Sequence, residues 1–406
     1  MIASPVENGA LKGLKVIDLT MMLAGPFCTM LLGDQGATII KVEPTRGGDT
    51  TRGVHPGKDE MPFGGYFQSI NRNKLSIGLD LKTEEGKQVL RRLVKEADVL
   101  VENYRVGVMD RLGLSYEELS KINPRLVYAA IRGFGDPRTG KSPYADWPAF
   151  DVIAQAMGGI MGITGPDPNT PLKIGPGVGD IVPAMLTTIG ILSAVRHAEK
   201  TGQGQFVDVA MYDGILALCE RIVYQHSYDG VVPGPEGNAH PLLCPFGLFP
   251  AKDGWVSIAC PKDHFWIILT EAMGRPELGE DERYALNIAR VQRNAEVVAM
   301  VGDWTSTLTK KELIDKLGGK IPFGPVNNVA DIFDDPHTKV REMLPEVEQP
   351  GLGPVQIAGT PIRMTKTQGG VARRGALLGE DTEAILESLG YSAAEIAEMR
   401  EKRAIR

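Results

Sequence analysis

Short β-branched runs alternate with helical patterns through the first 215 residues: "LKVIDLT", "PFCTMLLGDQG", "ATIIKVE", and later "EGKQVLRRLVKEA" followed by "DVLVEN". A strand that returns through a helix to a neighbouring strand runs parallel to it, so this alternation demands βαβ units and a parallel sheet. "RLVYAAIRGF" supplies a further buried strand. "FDVIAQAMGGIMGI" and "IVPAMLTTIGILSAVRHAE" read as apolar helices, and "GQFVDVAMYDGILALCERIVY" as a strand running into a helix. Near residue 227 the character changes. "SYDGVVPGPEGNAHPLLCPFG" is loop-like, and "DGWVSIAC" with three amphipathic stretches up to about residue 318 predicts a smaller α+β unit. A second Pro/Gly-rich passage, "IPFGPVNNVADIFDDPHTK", leads into a tail of two helices, with Gly390 and Ser392 as stop and new N-cap. The fold class is α/β.

A chain of 406 residues with 43% hydrophobic side chains can bury a full core. A net charge of −7 argues against the phosphate backbone of a nucleic acid as main partner, while leaving room for a local basic pocket. Cys28, Cys219, Cys244 and Cys260 lack the paired spacing of a zinc or redox site and read as reduced core thiols. His55, His197, His226, His240, His264 and His337 show neither metal-ligand spacing nor a nucleophile elbow beside them, so no metal is expected. The N-terminus resembles no signal peptide and no apolar run near 18 residues stands out. The expectation is a cytoplasmic protein without a membrane span.

Two motifs invite overreading. "GDPRTGKS", Gly135 to Ser142, matches the phosphate-loop pattern G-x-x-x-x-G-K-S in full and follows a strand. A phosphate loop needs a helix running on from the Lys-Ser pair, yet Pro143 and Pro148 follow at once and Pro137 stiffens the loop itself. A solvated loop carrying Lys141 is the better reading. The opening βαβ unit, with Glu43 ending its second strand, suggests a dinucleotide site, but its turn reads "MMLAGP" without the required glycines, so neither NAD nor FAD is expected.

"GPGVGDIVPAML", residues 175 to 186, sets a lone acid behind three glycines and ahead of an apolar run. Asp180 there has two readings. It is an N-cap, with Pro183 tolerated in the first turn. Alternatively the glycines admit a ligand and the helix end holds the carboxylate ionised where it attacks a carbonyl. Local chemistry does not choose between them.

The blocks "LKGLKVIDLTMMLAGPFCTMLLGDQGATIIKVEPTRGGDTTR", "NRNKLSIGLDLKTEEGK", "ADVLVENYRVGVMDRLGLSYEEL", "AFDVIAQAMGGIMGITG" and "TGQGQFVDVAMYDG" resemble the class III CoA-transferases, from about residue 11 to the C-terminus. The resemblance implies a large Rossmann-type CoA-binding domain (1–215 and 330–406), a small α+β domain (227–318), linkers at 216–226 and 319–329, and an interlocked homodimer. It implies that Asp180 is the nucleophile: its carboxylate attacks an acyl-CoA thioester and passes through a mixed anhydride to an aspartyl-CoA thioester, with backbone amides of the glycine-rich segment stabilising the oxyanion. Coenzyme A enters as a substrate moiety, with no cofactor bound permanently. Its contacts carry over to Ala24, Leu79, Lys82, Asn103, Tyr104, Arg105 and Arg111, where Lys82, Arg105 and Arg111 supply cations for the phosphates. Val106 stands where the family usually has proline, which loosens the loop bearing Arg105.

The related 2-methylacyl-CoA racemases carry a histidine base where this chain has Phe150, which cannot accept a proton. That makes the racemase the runner-up reading, with a non-catalytic CoA-binding protein as a third. Asp151 lines the active site by the same resemblance, although an Asp opening a helix is most often a cap. "GNAHPLLCPFG" lacks the glycine run of formyl-CoA transferases, which disfavours oxalate exchange. The chain looks closest to members acting on short branched or unsaturated dicarboxylic acids, such as mesaconyl-CoA or succinyl-CoA, between two acids or within one.

Overall fold

The computed structural model describes residues 3–53 and 61–406; His55 lies outside them. Six parallel strands form the main sheet: β1 (Lys15–Asp18), β2 (Thr38–Glu43), β3 (Lys74–Gly78), β4 (Val99–Glu102), β5 (Val127–Arg132) and β6 (Phe206–Ala210). Their spatial order is β3-β2-β1-β4-β5-β6, so the chain reverses direction across the sheet between β1 and β4. Val16 pairs with Ile39 on one side and Val99 on the other, and β3, β4 and β5 are buried along their whole length. Continuous apolar strands are what a sheet covered on both faces requires.

The covering helices are α1 (Ala24–Asp34), α2 (Gly65–Asn71), α3 (Glu84–Glu96), α4 (Val108–Leu112), α5 (Tyr116–Ile122), α6 (Asp151–Met157), α7 (Val178–Thr201) and α8 (Met211–Leu218); α9 (Glu220–Asp229) follows with no buried residue. Helix α3 shows why such segments fold as they do. Thr83 accepts from the Gly86 N–H at its start, Glu84 and Glu85 face its positive end, and Val89, Leu90, Leu93 and Val94 form one buried stripe. The tail contributes helices Thr382–Ser388 and Ala393–Glu401, the second opened by a full capping box between Ser392 and Glu395. Ile385, Leu386, Ile396 and Met399 join Ile17, Ile77 and Leu100 in one core, so the last 25 residues complete the layer that the first 100 begin. The same compact unit includes the hairpin of β10 and β11 (Glu346–Gln349 and Gly353–Gln356), and spans 1–160, 173–224 and 336–406.

The second unit comprises 161–172 and 225–335. Strands Phe246–Ala251, Gly254–Ala259 and Phe323–Pro325 (β7 to β9) pair antiparallel, and helices Asp263–Ala272, Asn294–Thr305 and Lys310–Leu317 bury Trp266, Leu269, Val297, Val301 and Leu313 in a core of their own. Residues 216–226 are helical but for Cys219 between α8 and α9, and 319–329 include β9.

Helix α7 departs from the expectation twice. Pro183 falls in its second turn, not its first, so the Gly179 carbonyl lacks the N–H it would otherwise receive. At 24 residues and a mean hydropathy of 1.7 over its best window, α7 is also apolar and long enough to cross a bilayer, which the sequence reading overlooked because Thr187, Thr188 and Ser193 interrupt it. It packs instead on α1, β5, β6 and α8. Met185, Leu186, Ile189 and Leu192 nevertheless remain exposed along one side.

Candidate active site

The loops that leave β1, β4, β5 and β6 at their C-terminal ends surround a cavity of about 420 Å³, lined among others by Met21, Met22, Asn103, Tyr104, Arg105, Gly133, Phe150, Asp180 and Met211. This is where doubly wound sheets bind ligands, because the crossovers diverge at the switch between β1 and β4 and leave a crevice.

Asp180 enters it from the first turn of α7. It is not a cap: the N-cap position belongs to Gly177, with no side-chain hydrogen bond, and no hydrogen bond reaches the Asp180 carboxylate among the described residues. The cap comes from α6. Asp151 Oδ1 accepts the Gly179 N–H at 2.8 Å, while Gln155 Nε2 donates to both Asp151 oxygens at 2.9 Å. A Cβ on Gly179 would stand 2.4 Å from the Asp151 carbonyl oxygen, so only glycine lets the two helix starts meet. Asp151 therefore sits behind the cavity wall and orients α7, while Phe150 beside it lines the cavity and is 60% exposed.

Burial, and next to it the Asp151 carboxylate, push the Asp180 carboxyl up to about 7. The helix end was expected to hold it ionised; desolvation outweighs that effect because the nearest helix amide is already engaged by Asp151. The same hydrogen bond removes the Gly179 amide from the expected oxyanion donors. Tyr66 of α2, absent from the sequence reading, has its phenol raised first by burial and then by Asp180, which places it near the carboxylate.

Facing Asp180 is the turn after β1. Met22 adopts φ +67°, a conformation that costs a non-glycine residue about 1–3 kcal/mol and needs a surrounding framework. Lys41 Nζ donates to the Thr20 carbonyl (2.8 Å), Asn103 Oδ1 accepts from Met21 N (2.9 Å) and its Nδ2 returns to Met21 O (2.8 Å). The Asn103 amide thus holds the loop through the Met21 backbone while lining the cavity. Beneath lie buried ion pairs: Lys74–Asp18 at 2.9 Å, Lys41–Asp49 at 3.0 Å and Arg52–Glu43 at 2.7 Å. Burial alone would raise Asp18, but Lys74 and Lys41 win and bring it down to about 2. Glu43, the residue that tempts a ribose reading, is filled by Arg52, Ser76 Oγ and the Asp49 N–H.

Of the residues expected around CoA, Ala24, Asn103, Tyr104, Arg105 and Arg111 line the Asp180 cavity. Leu79 and Lys82, with Tyr104 and Arg111 again, line an adjoining one of about 610 Å³. Arg46, Lys402 and Arg403 share that second cavity. The sequence reading missed them because nothing local marks them. The last two arrive only because Arg406 N bonds the Gly78 carbonyl at 3.1 Å and Ile405 pairs with Leu79. Five cations therefore rim a cavity on an acidic protein.

The lookalike loop is full. Asp208 Oδ2 accepts the Asp136 N–H at 2.8 Å and the Thr139 hydroxyl at 2.5 Å, so a carboxylate occupies its mouth, and the Thr139 and Gly140 N–H groups turn back onto Asp136 O. The next helix begins only at Asp151. All four cysteines are buried thiols; burial pushes Cys28 up to about 12.

Sheet order and crevice define a ligand-binding fold of the doubly wound α/β class. Residues 11–382 match CoA-transferase family III. The succinyl-CoA:mesaconate CoA-transferase of Haloarcula hispanica is 49% identical over 386 residues, 94% of this chain and 97% of the relative. The acetyl-CoA:oxalate CoA-transferase of Acetobacter aceti is 42% identical over 362 residues, 87% and 90% of the two chains. A CaiB/BaiF family protein from Brucella suis superposes with a TM-score of 0.84 at 38% identity, covering 94% of this chain and all of that one. The chain belongs to the class III CoA-transferases, enzymes that move CoA between carboxylic acids.

Proposed function

We propose that Asp180 is the nucleophile of this transfer, and that the enzyme works on short dicarboxylic acids such as succinate and mesaconate. The observation that carries the first reading is a carboxylate in the crevice with no hydrogen-bond donor among the described residues and a carboxyl raised to about 7: desolvated, it is a better nucleophile than one solvated by water or caps. One Asp180 oxygen attacks the thioester carbonyl and the C–S bond breaks, releasing CoA thiolate and leaving a mixed anhydride. The thiolate then attacks the aspartyl carbonyl, expelling the donor acid and forming aspartyl-CoA. The acceptor carboxylate attacks that thioester and releases the thiolate, which takes the acceptor acyl group and frees Asp180. No oxidant, proton or phosphate is consumed overall. The Gly175 and Gly177 amides, neither bonded among the described residues, are the oxyanion donors left once Gly179 is engaged.

The phosphates of CoA are assigned to the rim of Lys82, Arg105 and Arg111, joined by Arg46, Lys402 and Arg403. The dicarboxylic preference rests on the relatives that act on mesaconate and, at 36% identity, on D-citramalate in Chloroflexus aurantiacus. We assign the exposed apolar side of α7 to a homodimer interface and the reaction to the cytoplasm; light scattering of the purified protein reads the first, and a monomer at micromolar concentration overturns it. The chemistry is tested by incubating the protein with succinyl-CoA alone and digesting it under mild acid. The Asp180 peptide should carry the mass of CoA, lost when mesaconate is added first. A peptide that stays unmodified while transfer proceeds would remove Asp180 from the mechanism.

A further inference from the structure

The segment from Asn103 to Arg111 carries four of the residues that the family resemblance places around CoA, and glycine at 107 with valine at 106 leaves it little stiffness of its own: Gly107 has φ +76°. Its two ends are nonetheless tied to one set of charges. At the start, Glu102 Oε2 accepts the Tyr104 N–H at 2.7 Å, Arg132 Nε donates to the Tyr104 carbonyl at 3.2 Å, and Arg132 pairs with Glu102. At the far end, Asp110 of α4, the neighbour of Arg111, accepts from Arg138 Nη2 at 2.8 Å. The guanidinium of Arg138 also grips Glu117 of α5 with two parallel bonds, Nε to Oε1 at 2.6 Å and Nη2 to Oε2 at 2.8 Å. Asp136 joins the two arginines, pairing with Arg132 on one side and Arg138 Nη1 (3.1 Å) on the other. Arg138 and Asp136 belong to "GDPRTGKS", the loop whose phosphate-binding appearance the fold does not use.

We propose that Arg138 is a positioning residue for CoA: through Asp110 and Asp136 it holds both ends of the 103–111 segment in register, so that Arg105 and Arg111 meet the phosphates already aligned. The inference rests on the CoA pocket assigned above. A bidentate guanidinium shared among three carboxylates fixes angle as well as distance, which single surface pairs do not. The same network makes good the stiffness lost where valine replaces the family's usual proline, because it restrains the segment from outside rather than through φ.

The test measures transfer from succinyl-CoA to mesaconate, and binding of free CoA by calorimetry, in Arg138→Gln, Arg138→Lys, Asp110→Ala and Arg111→Ala. Arg138→Gln should raise KM for succinyl-CoA and Kd for CoA about tenfold, with kcat and KM for mesaconate within about twofold, since a misaligned binding group weakens association without touching the chemistry. Arg138→Lys should fall between the two, a point charge replacing a fork. An unchanged CoA affinity in folded Arg138→Gln, or a loss confined to kcat, overturns the inference. If that variant does not fold, Asp110→Ala decides alone: it cuts only the tie to α4, and an unchanged CoA affinity there overturns the inference too. Arg111→Ala separates the two levels. Weak CoA binding in it alone sinks the role of Arg138 and leaves the pocket standing; undiminished CoA binding in it removes the pocket reading and this inference together.

Discussion

Two glycine-rich turns follow strands or precede helices in this protein, and they ended up with opposite fates. "GDPRTGKS" matches a phosphate-binding pattern at every position, yet Asp208 and Asp136 accept the Asp136, Arg138, Thr139 and Gly140 N–H groups from within, so those amides are not open to an anion. "GPGVGD" matches no general pattern, yet it delivers a carboxylate that no hydrogen bond satisfies among the described residues. A motif names residue types; function depends on which of their polar groups the fold leaves unpaired.

The sharpest way to break this contrast is at Asp180. Asp180→Ala should lower turnover on the order of 10⁴-fold or more while leaving CoA affinity intact, read by steady-state kinetics and calorimetry. Appreciable residual transfer would mean the unpaired carboxylate is a bystander. Because Asp180 caps nothing, the fold should not weaken.

Next in size is the pH dependence. With the Asp180 carboxyl near 7, log(kcat/KM) should fall with unit slope below about pH 7, as the nucleophile takes up a proton. The effect on stability has the opposite sign. Between the unfolded value of 3.8 and about 7 the folded state binds more protons than the unfolded one, so this group stabilises the fold below pH 3.8 and loses that contribution as pH rises through 7. Asp180→Asn should therefore melt higher than the parent at pH 8 and not at pH 3.5. Asp151→Asn, which removes the charge but keeps an oxygen for the Gly179 N–H, should shift the acid limb to lower pH; a limb that does not move would leave burial as the whole cause.

A smaller effect is expected in the filled loop. Asp208→Ala strips an acceptor from the Asp136 N–H and the Thr139 hydroxyl, and should cost about 1–3 kcal/mol in urea unfolding with kcat nearly unchanged. Smallest of all is Lys141→Ala. Lys141 is exposed with no ion pair among the described residues, so CoA affinity and turnover should stay within about twofold of the parent. Loss of nucleotide binding in that variant, with ATP preferred to CoA in the parent, would restore the phosphate-loop reading.

Much was legible before any coordinates. Hydrophobic periodicity of "LKVIDLT", "ATIIKVE" and "RLVYAAIRGF" determined buried parallel strands, because only a sheet covered on both faces accommodates unbroken apolar runs. Ser392 with Glu395 determined a helix start, since both partners of a capping box lie within one turn. The family resemblance pointed to Asp180, and its blocks contain most of the residues lining the two cavities, as they are contiguous in the chain. Tertiary structure alone decided the rest. That Asp151 caps α7 rather than α6, that Asn103 holds Met21 and that Asp208 fills the lookalike loop are pairings between residues about 28 to 82 positions apart, and Lys402 joins the cavity rim of Lys82 across 320 positions. Local sequence records which hydrogen bonds and charges a residue can make; which ones it does make depends on partners that only the closing of the fold brings within 3 Å.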